Sequence, residues 1–307
     1  MSAAQLIGLD WGTSSLRAYL LGAQGAVLEQ RDRPLGIMRV KDGDFAGAFA
    51  QACGDWLRAY AQAPVLLAGM IGSKQGWLEA PYCACPADAA AIAATLAPLA
   101  LAGRTARIVP GLSCTNSAGV PDVMRGEETQ IIGALPAAGS HLAVLPGSHS
   151  KWAWVEQGTV VRFASFMTGE IYAALTGHTI LGRLMQADAP HDAAAFARGV
   201  RYGLEAPQEL MSRAFSARTL GLFGQLGEAA LPSYLSGLLI GSEIGGASGM
   251  TPHAGLITIP VTILGNAALT LRYTEALTIA GMRTEAGTPD CAAQGLWRIA
   301  RAAGLLI

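Results

Sequence analysis

The chain contains 307 residues, of which 51% are hydrophobic and 14% are charged, and its formal net charge is −1. This length accommodates two domains or one large α/β domain, and the apolar composition excludes a disordered chain. Because there is no excess of basic residues, we expect no partner such as a nucleic acid or an anionic membrane surface.

No segment of the sequence resembles a membrane anchor or an export signal. The most apolar stretch, 256–264, contains Pro260 and is much shorter than the ~18 residues that span a membrane. The first five residues lack a basic segment, and Asp10 interrupts the apolar run that follows. We therefore expect a cytoplasmic protein with no membrane partner.

The five cysteines are predicted to be free thiols. Their number is odd, no C-x-x-C pair occurs, and the five histidines are scattered along the chain. These spacings do not match a zinc site, and a reducing compartment explains the thiols better.

The first half of the sequence is predicted to combine short strands with helices. Asp44 precedes apolar residues spaced three and four apart, which indicates a capped helix. In chain order we predict strands at 6–10, 16–21 and 26–33, a helix at 44–61, a strand at 64–68, a helix from Pro86, a strand at 107–109, a loop through 111–121 and a helix at 127–135.

The second half repeats the opening pattern of three strands joined by two tight turns. We predict strands at 141–145, 151–156 and 159–166, helices at 169–184, 192–204, 207–217 and 232–248, a strand at 257–264, a helix at 266–281 and a last helix from Pro289. The recurrence indicates a degenerate internal duplication, and hence two α/β domains with a cleft between them. We place these domains at residues 1–125 and 126–307.

The turn after the first strand is a candidate phosphate loop. It reads Asp10-Trp11-Gly12-Thr13-Ser14, in which the glycine lets the backbone approach an anion. The backbone N–H groups and the hydroxyls of Thr13 and Ser14 are donors for phosphate oxygens. Asp10 is a candidate ligand for Mg²⁺, which takes few protein ligands. The alternative is an ordinary hairpin turn with Asp10 as a turn residue.

A related turn follows the first strand of the second half. Its donors are Gly147, Ser148, His149 and Ser150. Leu145 stands where the first turn has its aspartate, so only the first turn is predicted to hold a metal ion. Lys151 either adds a positive charge to this turn or lies on an exposed strand edge.

Two adjacent acids, Glu127 and Glu128, follow Gly126 at a predicted helix start. Acids favour the first turn of a helix because of its dipole, which is one explanation for them. The other is that one of them accepts a hydroxyl proton during phosphoryl transfer. Adjacent helical residues point about 100° apart, so we expect only one to face the cleft. Its position next to Gly126 favours Glu127.

A loop rich in glycine and polar side chains is a candidate site for a polyhydroxylated acid. Its hydroxyl, ammonium, amide and indole donors are Ser73, Lys74, Gln75 and Trp77. Arg17, Arg125 and Lys74 are candidates to pair with a substrate carboxylate, although each is equally explained as a surface charge. A plain surface loop is the alternative.

Gly265 lies at a predicted strand-to-helix junction. It would let a flat ring approach the backbone near an electropositive helix start. A simple strand–turn–helix corner explains the glycine equally.

Five blocks of the sequence, in this order, resemble the 2-dehydro-3-deoxygalactonokinase family, within the superfamily of acetate and sugar kinases, heat-shock chaperones and actin. They are GLDWGTS (8–14), GMIGSKQGW (69–77), RGEETQ (125–130), LPGSHSKW (145–152) and FMTGE (166–170). The resemblance covers nearly the whole chain, and the third and fourth blocks are its most specific parts.

The resemblance implies an α/β fold of two ribonuclease-H-like domains, with mixed sheets flanked by helices and a nucleotide cleft between them. It implies transfer of the ATP γ-phosphoryl group to the terminal hydroxyl of 2-dehydro-3-deoxy-D-galactonate, which gives the 6-phosphate in galactonate catabolism. It also implies a Mg²⁺ requirement and a homodimer.

The family's site residues carry over to matching positions of this chain. The first phosphate loop corresponds to Asp10, Gly12, Thr13 and Ser14, the second to Gly147, Ser148, His149 and Ser150, and the adenosine segment to Gly265 and its neighbours. The family usually has asparagine where this chain has Lys74, whose charge would either strengthen carboxylate binding or alter the sugar preference. Related sugar kinases have an aspartate where this chain has Glu127, which leaves the identity of the base open.

Two other functions compete with this one. The first is a kinase of the same fold for another 2-keto-3-deoxy acid, such as the gluconate-derived one, or for a sugar. The second is a non-catalytic protein that binds ATP or senses a sugar. The presence of Asp10, Glu127 and both turns argues against the second, because a sensor does not need the metal ligand or the base.

Overall fold

The computed structural model describes residues 4–101, 104–250, 259–288 and 290–306. Its strands are β1 (Leu6–Trp11), β2 (Leu16–Leu21), β3 (Val27–Arg33), β4 (Val65–Ala68), β5 (Tyr82–Ala84), β6 (Ala97–Leu101), β7 (Arg104–Ile108), β8 (Gly111–Thr115), β9 (Pro121–Met124), β10 (Ser140–Leu145), β11 (Ser150–Glu156), β12 (Thr159–Phe166), β13 (Val261–Ile263) and β14 (Thr284–Ala286). Its α-helices are α1 (Phe45–Ala59), α2 (Ala89–Ala94), α3 (Glu127–Ala134), α4 (Thr168–His178), α5 (Ala193–Glu205), α6 (Leu210–Arg213), α7 (Ser216–Leu222), α8 (Leu231–Gly249), α9 (Ala267–Ile279) and α10 (Cys291–Ala302).

The largest sheet has six strands in the order β3-β2-β1-β4-β7-β6. β1 pairs antiparallel with β2 and parallel with β4, and β4 runs parallel with β7. In this register Asp10 lies opposite Arg17 on one side and Ala68 on the other. The carboxyl ends of β1 and β4 therefore meet at one edge of the sheet, which is where candidate site residues gather.

A five-stranded sheet repeats this arrangement in the order β12-β11-β10-β13-β14, which matches β3-β2-β1-β4-β7 strand for strand. β13 runs parallel to both β10 and β14. The recurrence predicted from the sequence and the mixed α/β fold class are confirmed.

Helix α1 shows how local signals produced correct predictions. The Asp44 carboxylate accepts a hydrogen bond from the Gly47 N–H at 2.8 Å and caps the helix, as predicted. Phe49 and Trp56 on its apolar face are buried in a core that also contains Ile7 and Leu9 of β1. The helix thus covers one face of the six-stranded sheet.

The prediction of a loop through 111–121 is wrong. Two strands, β8 and β9, form there and join β5 in a third sheet. These strands have only three to five residues, which is too short for an alternating pattern to stand out. The predicted helix at 207–217 also differs, since a 3₁₀ turn precedes two short helices, α6 and α7. The predicted starts at 257 and Pro289 lie outside the described residues.

Contacts divide the chain into two compact units. The first comprises Met1–Ser140, Trp154–Phe163 and Thr288–Ile307, and the second comprises His141–Ala153 and Ala164–Gly287. Helices α3 and α10 belong to the first unit, whereas the predicted boundary at residue 125 placed both in the second domain.

Two glycines explain why α3 and α10 belong together. A Cβ atom added at Gly295 would lie 1.8 Å from the Thr129 carbonyl oxygen, and one at Gly133 would lie 1.8 Å from the Cys291 carbonyl oxygen. The two helix backbones are therefore in contact. The last helix of the chain packs against α3 in the first unit, which a single boundary in the sequence does not describe.

No helix among the described ranges combines the length and the apolar character that a membrane crossing requires.

We expect Gly295→Ala to destabilise the protein by about 3 kcal/mol, because the new methyl group has no space against the α3 backbone. Gly177→Ala in α4 is the matched control, since a Cβ there meets no atom within 4 Å. That control should leave stability equal or raise it by up to about 1 kcal/mol. Urea unfolding measures both changes, and equal effects would contradict the backbone contact.

Candidate functional site

Asp10 lies at the carboxyl end of β1, close to the end of β4. Gly69 follows β4 with φ +93°, and a Cβ there would lie 2.8 Å from the Trp11 carbonyl oxygen and 3.4 Å from Asp10 Oδ1. Burial raises the pKa of Asp10 to about 6, while Arg17 lowers it and Glu127 raises it further. Asp10 is therefore a partly buried carboxyl group for which a bound cation would offset the cost of its charge.

Gly126 brings the start of α3 to this same edge of the sheet. It has φ +106°, and a Cβ there would lie 3.2 Å from Gly69 Cα. Because two glycines meet, α3 begins beside the end of β4, and Glu127 comes close enough to Asp10 to raise its pKa. The two predicted catalytic carboxyl groups therefore belong to one cluster.

Glu127 and Glu128 have different environments although they are adjacent. Glu127 is partly exposed, and its Oε2 accepts a hydrogen bond from the Arg125 N–H at 3.0 Å. Glu128 is fully buried, with Oε2 accepting from the Gly126 N–H at 2.6 Å and Oε1 accepting from Thr129 Oγ1 at 3.0 Å. Burial, reinforced by Glu127, raises the pKa of Glu128 to about 8. Glu128 is therefore protonated at neutral pH and faces the interior.

The first candidate phosphate loop is a tight turn with exposed hydroxyls. The Gly12 N–H donates to the Ser15 carbonyl oxygen at 2.9 Å, and Thr13 and Ser14 are exposed. Gly36 packs against the loop so closely that a Cβ there would lie 2.3 Å from the Thr13 carbonyl oxygen. Sequence reasoning missed Gly36, although its place after a short Pro-Leu pair is a turn signal.

The second candidate phosphate loop is held from outside by the start of α4. The Glu170 N–H donates to the Ser148 carbonyl oxygen at 3.0 Å, and the Glu170 carboxylate pairs with the His149 ring. A Cβ at Gly169 would lie 2.4 Å from the Gly147 carbonyl oxygen. Ser148 and His149 are exposed and accessible to a ligand, whereas Glu170 was not predicted as a site residue.

Two residues of this region lie in the interior. Ser150 is fully buried, and its hydroxyl is bonded to Tyr273 Oη at 2.8 Å rather than presented at the loop surface. Lys151 is 4% exposed, and its ammonium donates to the His149 carbonyl oxygen at 3.0 Å. The alternative that placed Lys151 on an exposed strand edge is therefore wrong.

Gly265 lies beside the second loop, within the same compact unit. It is exposed between β13 and α9, and a Cβ there would lie 3.4 Å from Pro146 Cδ. Asn266 caps α9 by accepting from the Leu269 N–H at 3.0 Å. The open glycine next to a phosphate loop and a capped helix start is suited to a flat ring.

The predicted sugar-acid loop divides into a packed part and an exposed part. The Trp77 ring packs against Phe49 and Phe45, with ring centroids 5.9 Å and 6.5 Å away. Lys74 and Gln75 are exposed. The indole of Trp77 therefore supports the loop as part of the core, and the two neighbouring side chains remain accessible.

Arg125 joins this loop to the start of α3. It is only 9% exposed, its Nη2 donates to the Ala80 carbonyl oxygen at 2.8 Å, and its guanidinium lies 4.4 Å from the centre of the Tyr82 ring. Nε and Nη1 are buried without a hydrogen-bond partner among the described residues, and so is Ser73 Oγ. A Cβ at Gly72 would lie 3.0 Å from Nη1, so the guanidinium touches the loop. A buried guanidinium with donor positions of this kind is suited to a polar ligand such as a carboxylate.

The residues present fit a magnesium ion that arrives with phosphate. No group of three or more His, Cys, Asp or Glu side chains in the described part of the chain could hold a metal ion alone. Mg²⁺ is usually bound by one or two carboxylates, with substrate phosphates and water as the other ligands. Asp10 matches that requirement, because it lies beside a loop whose exposed hydroxyl groups can donate hydrogen bonds to phosphate.

Comparison with known proteins identifies one consistent group of relatives. The family model for 2-keto-3-deoxy-galactonokinase matches residues 10–299. The chain is 35% identical to the 2-dehydro-3-deoxygalactonokinase of Escherichia coli (strain K12) over 300 residues, which cover 97% of this chain and 98% of the relative. A crystal structure of a protein described by the same activity, from Sinorhizobium meliloti, superposes with a TM-score of 0.87 at 37% identity, covering 97% and 98% of the two chains.

We expect Glu128→Gln to stabilise the protein increasingly as the pH rises from about 5 to 8. The folded pKa of about 8 lies above the ordinary value, so the folded state binds more protons than the unfolded state over this range and wild-type stability falls. Glutamine imitates the protonated acid and removes this fall. The gain should reach up to about 1.4 kcal/mol per pH unit, measured by urea unfolding across a pH series. A constant difference would contradict the buried protonated state.

Proposed function

Because the chain belongs to the 2-keto-3-deoxy-galactonokinase family, we propose that it phosphorylates the terminal hydroxyl of 2-dehydro-3-deoxy-D-galactonate with ATP. The product is the 6-phosphate, formed during galactonate catabolism. The observation that carries the chemistry is the cluster of Asp10 and Glu127 at one sheet edge, beside the exposed donors of the first loop. Membership of the family makes the protein a sugar-acid kinase, and the choice of acid is the proposal.

Asp10 is the proposed ligand of the Mg²⁺ that accompanies ATP. The ion would supply positive charge against the phosphate oxygens when bound. Thr13 and Ser14, with the backbone N–H groups around Gly12, donate hydrogen bonds to those oxygens. The role of Gly36 is to hold the turn in the shape that presents these donors, since its backbone packs directly on the loop.

Glu127 is the proposed base. Its Oε2 is oriented by the Arg125 N–H at 3.0 Å. It takes the proton of the sugar hydroxyl while that oxygen forms its bond to the γ-phosphorus, and ADP leaves with the electron pair of the broken P–O bond. This step contributes about 10²–10⁴-fold, and positioning and charge neutralisation contribute the rest. Glu128 supports Glu127 from the interior and does not contact the substrate.

The second loop is the proposed site for the other ATP phosphates, and Gly265 for the adenosine. The backbone of Gly147 and the side chains of Ser148 and His149 are placed to donate. The Ser150 hydroxyl is bonded to Tyr273, so its contribution comes through the backbone. Lys151 places a positive charge directly behind the loop.

Arg125 is the proposed partner of the substrate carboxylate. Two of its nitrogens and Ser73 Oγ are buried and lack partners among the described residues, and a carboxylate accepts from a guanidinium in a bidentate way. Lys74 and Gln75 are exposed on the same loop and are assigned to the sugar hydroxyls. A homodimer and a cytoplasmic location, both expected from the sequence, remain predictions.

We expect purified protein with Mg²⁺ and ATP to phosphorylate 2-dehydro-3-deoxy-D-galactonate at C6, with loss of turnover in EDTA. The panel includes the gluconate-derived epimer and parent sugars without a carboxylate, and the product is identified by NMR. Highest kcat/KM for the epimer would favour the alternative kinase. Nucleotide binding without turnover on any acid would favour the sensor.

We expect Glu127→Gln to lower kcat by at least ~10²-fold without changing ATP affinity, because it removes only the proton acceptor. Glu128→Gln is the matched control, since it replaces a protonated acid by an amide of the same shape. Its kcat should stay close to that of the wild type. The reverse result in steady-state kinetics would transfer the role of base to Glu128.

A further inference from the structure

Glu243, a buried acid of α8, was not assigned to any site by the sequence. It lies in the middle of a long buried helix and is 2% exposed. A charged side chain in such a position requires partners that satisfy it. Those partners lead to the second phosphate loop.

The Glu243 carboxylate receives three hydrogen bonds from three different elements. Oε1 accepts from Trp152 Nε1 of β11 at 2.7 Å. Oε2 accepts from Tyr273 Oη of α9 at 2.7 Å and from Thr168 Oγ1 of α4. Burial raises the pKa of Glu243, and these donors oppose the rise. Three donors and no acceptor are what an ionised carboxylate requires.

One branch of this network ends on the last residue of the loop. Tyr273 gives its proton to Glu243, so in its bond to Ser150 at 2.8 Å the tyrosine oxygen must accept the serine proton. The carboxylate therefore fixes the direction of the hydrogen bond that anchors Ser150 in the interior.

The other branch of the network runs through Thr168 and contacts the opposite end of the loop. Thr168 is followed by Gly169 and Glu170, whose backbones contact Gly147 and Ser148. Thr168, at the start of the segment that contacts the outer part of the loop, donates to the Glu243 carboxylate. Tyr273, which binds Ser150 at the end of the loop, donates to the same carboxylate. One side chain connects both supports of the loop.

We propose that Glu243 is a positioning residue that holds the second phosphate loop ready for ATP. The proposal rests on the proposed function in that ATP is the ligand of this loop. Glu243 does not touch the ligand: Trp152, Thr168 and Tyr273 donate to it from behind the loop, and Ser150, the loop residue whose hydroxyl also interacts with it, is fully buried. Its effect is to keep the loop backbone ordered before the nucleotide arrives, which reduces the entropy cost of binding.

Glutamine at this position keeps the shape of the side chain but reverses part of the network. The Trp152 N–H can only donate, so the amide oxygen must face it and the amide NH₂ must face Thr168 and Tyr273. These hydroxyls must then accept, and the Tyr273 proton turns toward Ser150. The anchor of the loop is therefore altered without a change in side-chain volume.

The test compares Glu243→Gln with Ser242→Ala. Ser242 is the neighbouring buried residue, and its hydroxyl has no partner among the described residues, so its removal should change nothing measured here. We expect Glu243→Gln to raise the KM for ATP at least about 10-fold and to leave the KM for the sugar acid within about twofold. Hydrogen exchange at the backbone amides of residues 147–150 in the ligand-free protein should rise at least about 10-fold.

Unchanged loop exchange and unchanged affinity for a non-hydrolysable ATP analogue in folded Glu243→Gln would overturn the proposal. If that variant does not fold, Thr168→Val should show the same two effects and Thr168→Ser should restore both, and a Thr168→Val protein like wild type would overturn it. Different results would refute the proposed function and the proposed role of Glu243. A wild-type protein that binds the analogue but phosphorylates no sugar acid refutes the substrate assignment, whereas exchange of the loop still decides the role of Glu243.

Discussion

The contact between Gly69 and Gly126 is the constraint on which the candidate site around Asp10 and Glu127 depends. Both residues have positive φ, which disfavours any residue with a side chain, and a Cβ at Gly126 would lie 3.2 Å from Gly69 Cα. Because the backbones meet there, Glu127 lies close to Asp10, and Arg125 lies against the candidate sugar-acid loop. Replacing either glycine would disturb the approach of Asp10 and Glu127, which are 117 residues apart in the chain.

Each compact unit forms a candidate phosphate loop at the same place in a related sheet, but the two loops are supported by different contacts. In the first unit the loop follows the partly buried Asp10, and the Gly36 backbone packs against it. In the second unit no carboxylate stands at the matching strand end, and the acid Glu243 lies behind the loop, satisfied by three donors. The duplicated motif therefore carries an acid at the strand end in one copy and an acid behind the loop in the other.

The parts of the fold that were predicted correctly rest on local signals. The Asp44 cap, the repeated three-strand pattern and the position of Asp10 at a strand end depend on residues within a few positions of each other. The small sheet of β5, β8 and β9 was missed because its strands are short and its pairing is non-local. The association of α3 with α10 was missed for the same reason, since it depends on Gly133 and Gly295 meeting across a distance that no local pattern encodes.

The sequence by itself determined the family and hence the sugar-acid kinase class, because five blocks in a fixed order resemble that family over nearly the whole chain. The tertiary structure decided which of two adjacent glutamates is accessible, that Ser150 and Lys151 turn inward, and that two Arg125 nitrogens are buried without a partner in the described part of the chain. The reason is that burial is set by distant parts of the chain: Glu128 loses its charge and Glu243 gains three donors only because other elements close around them.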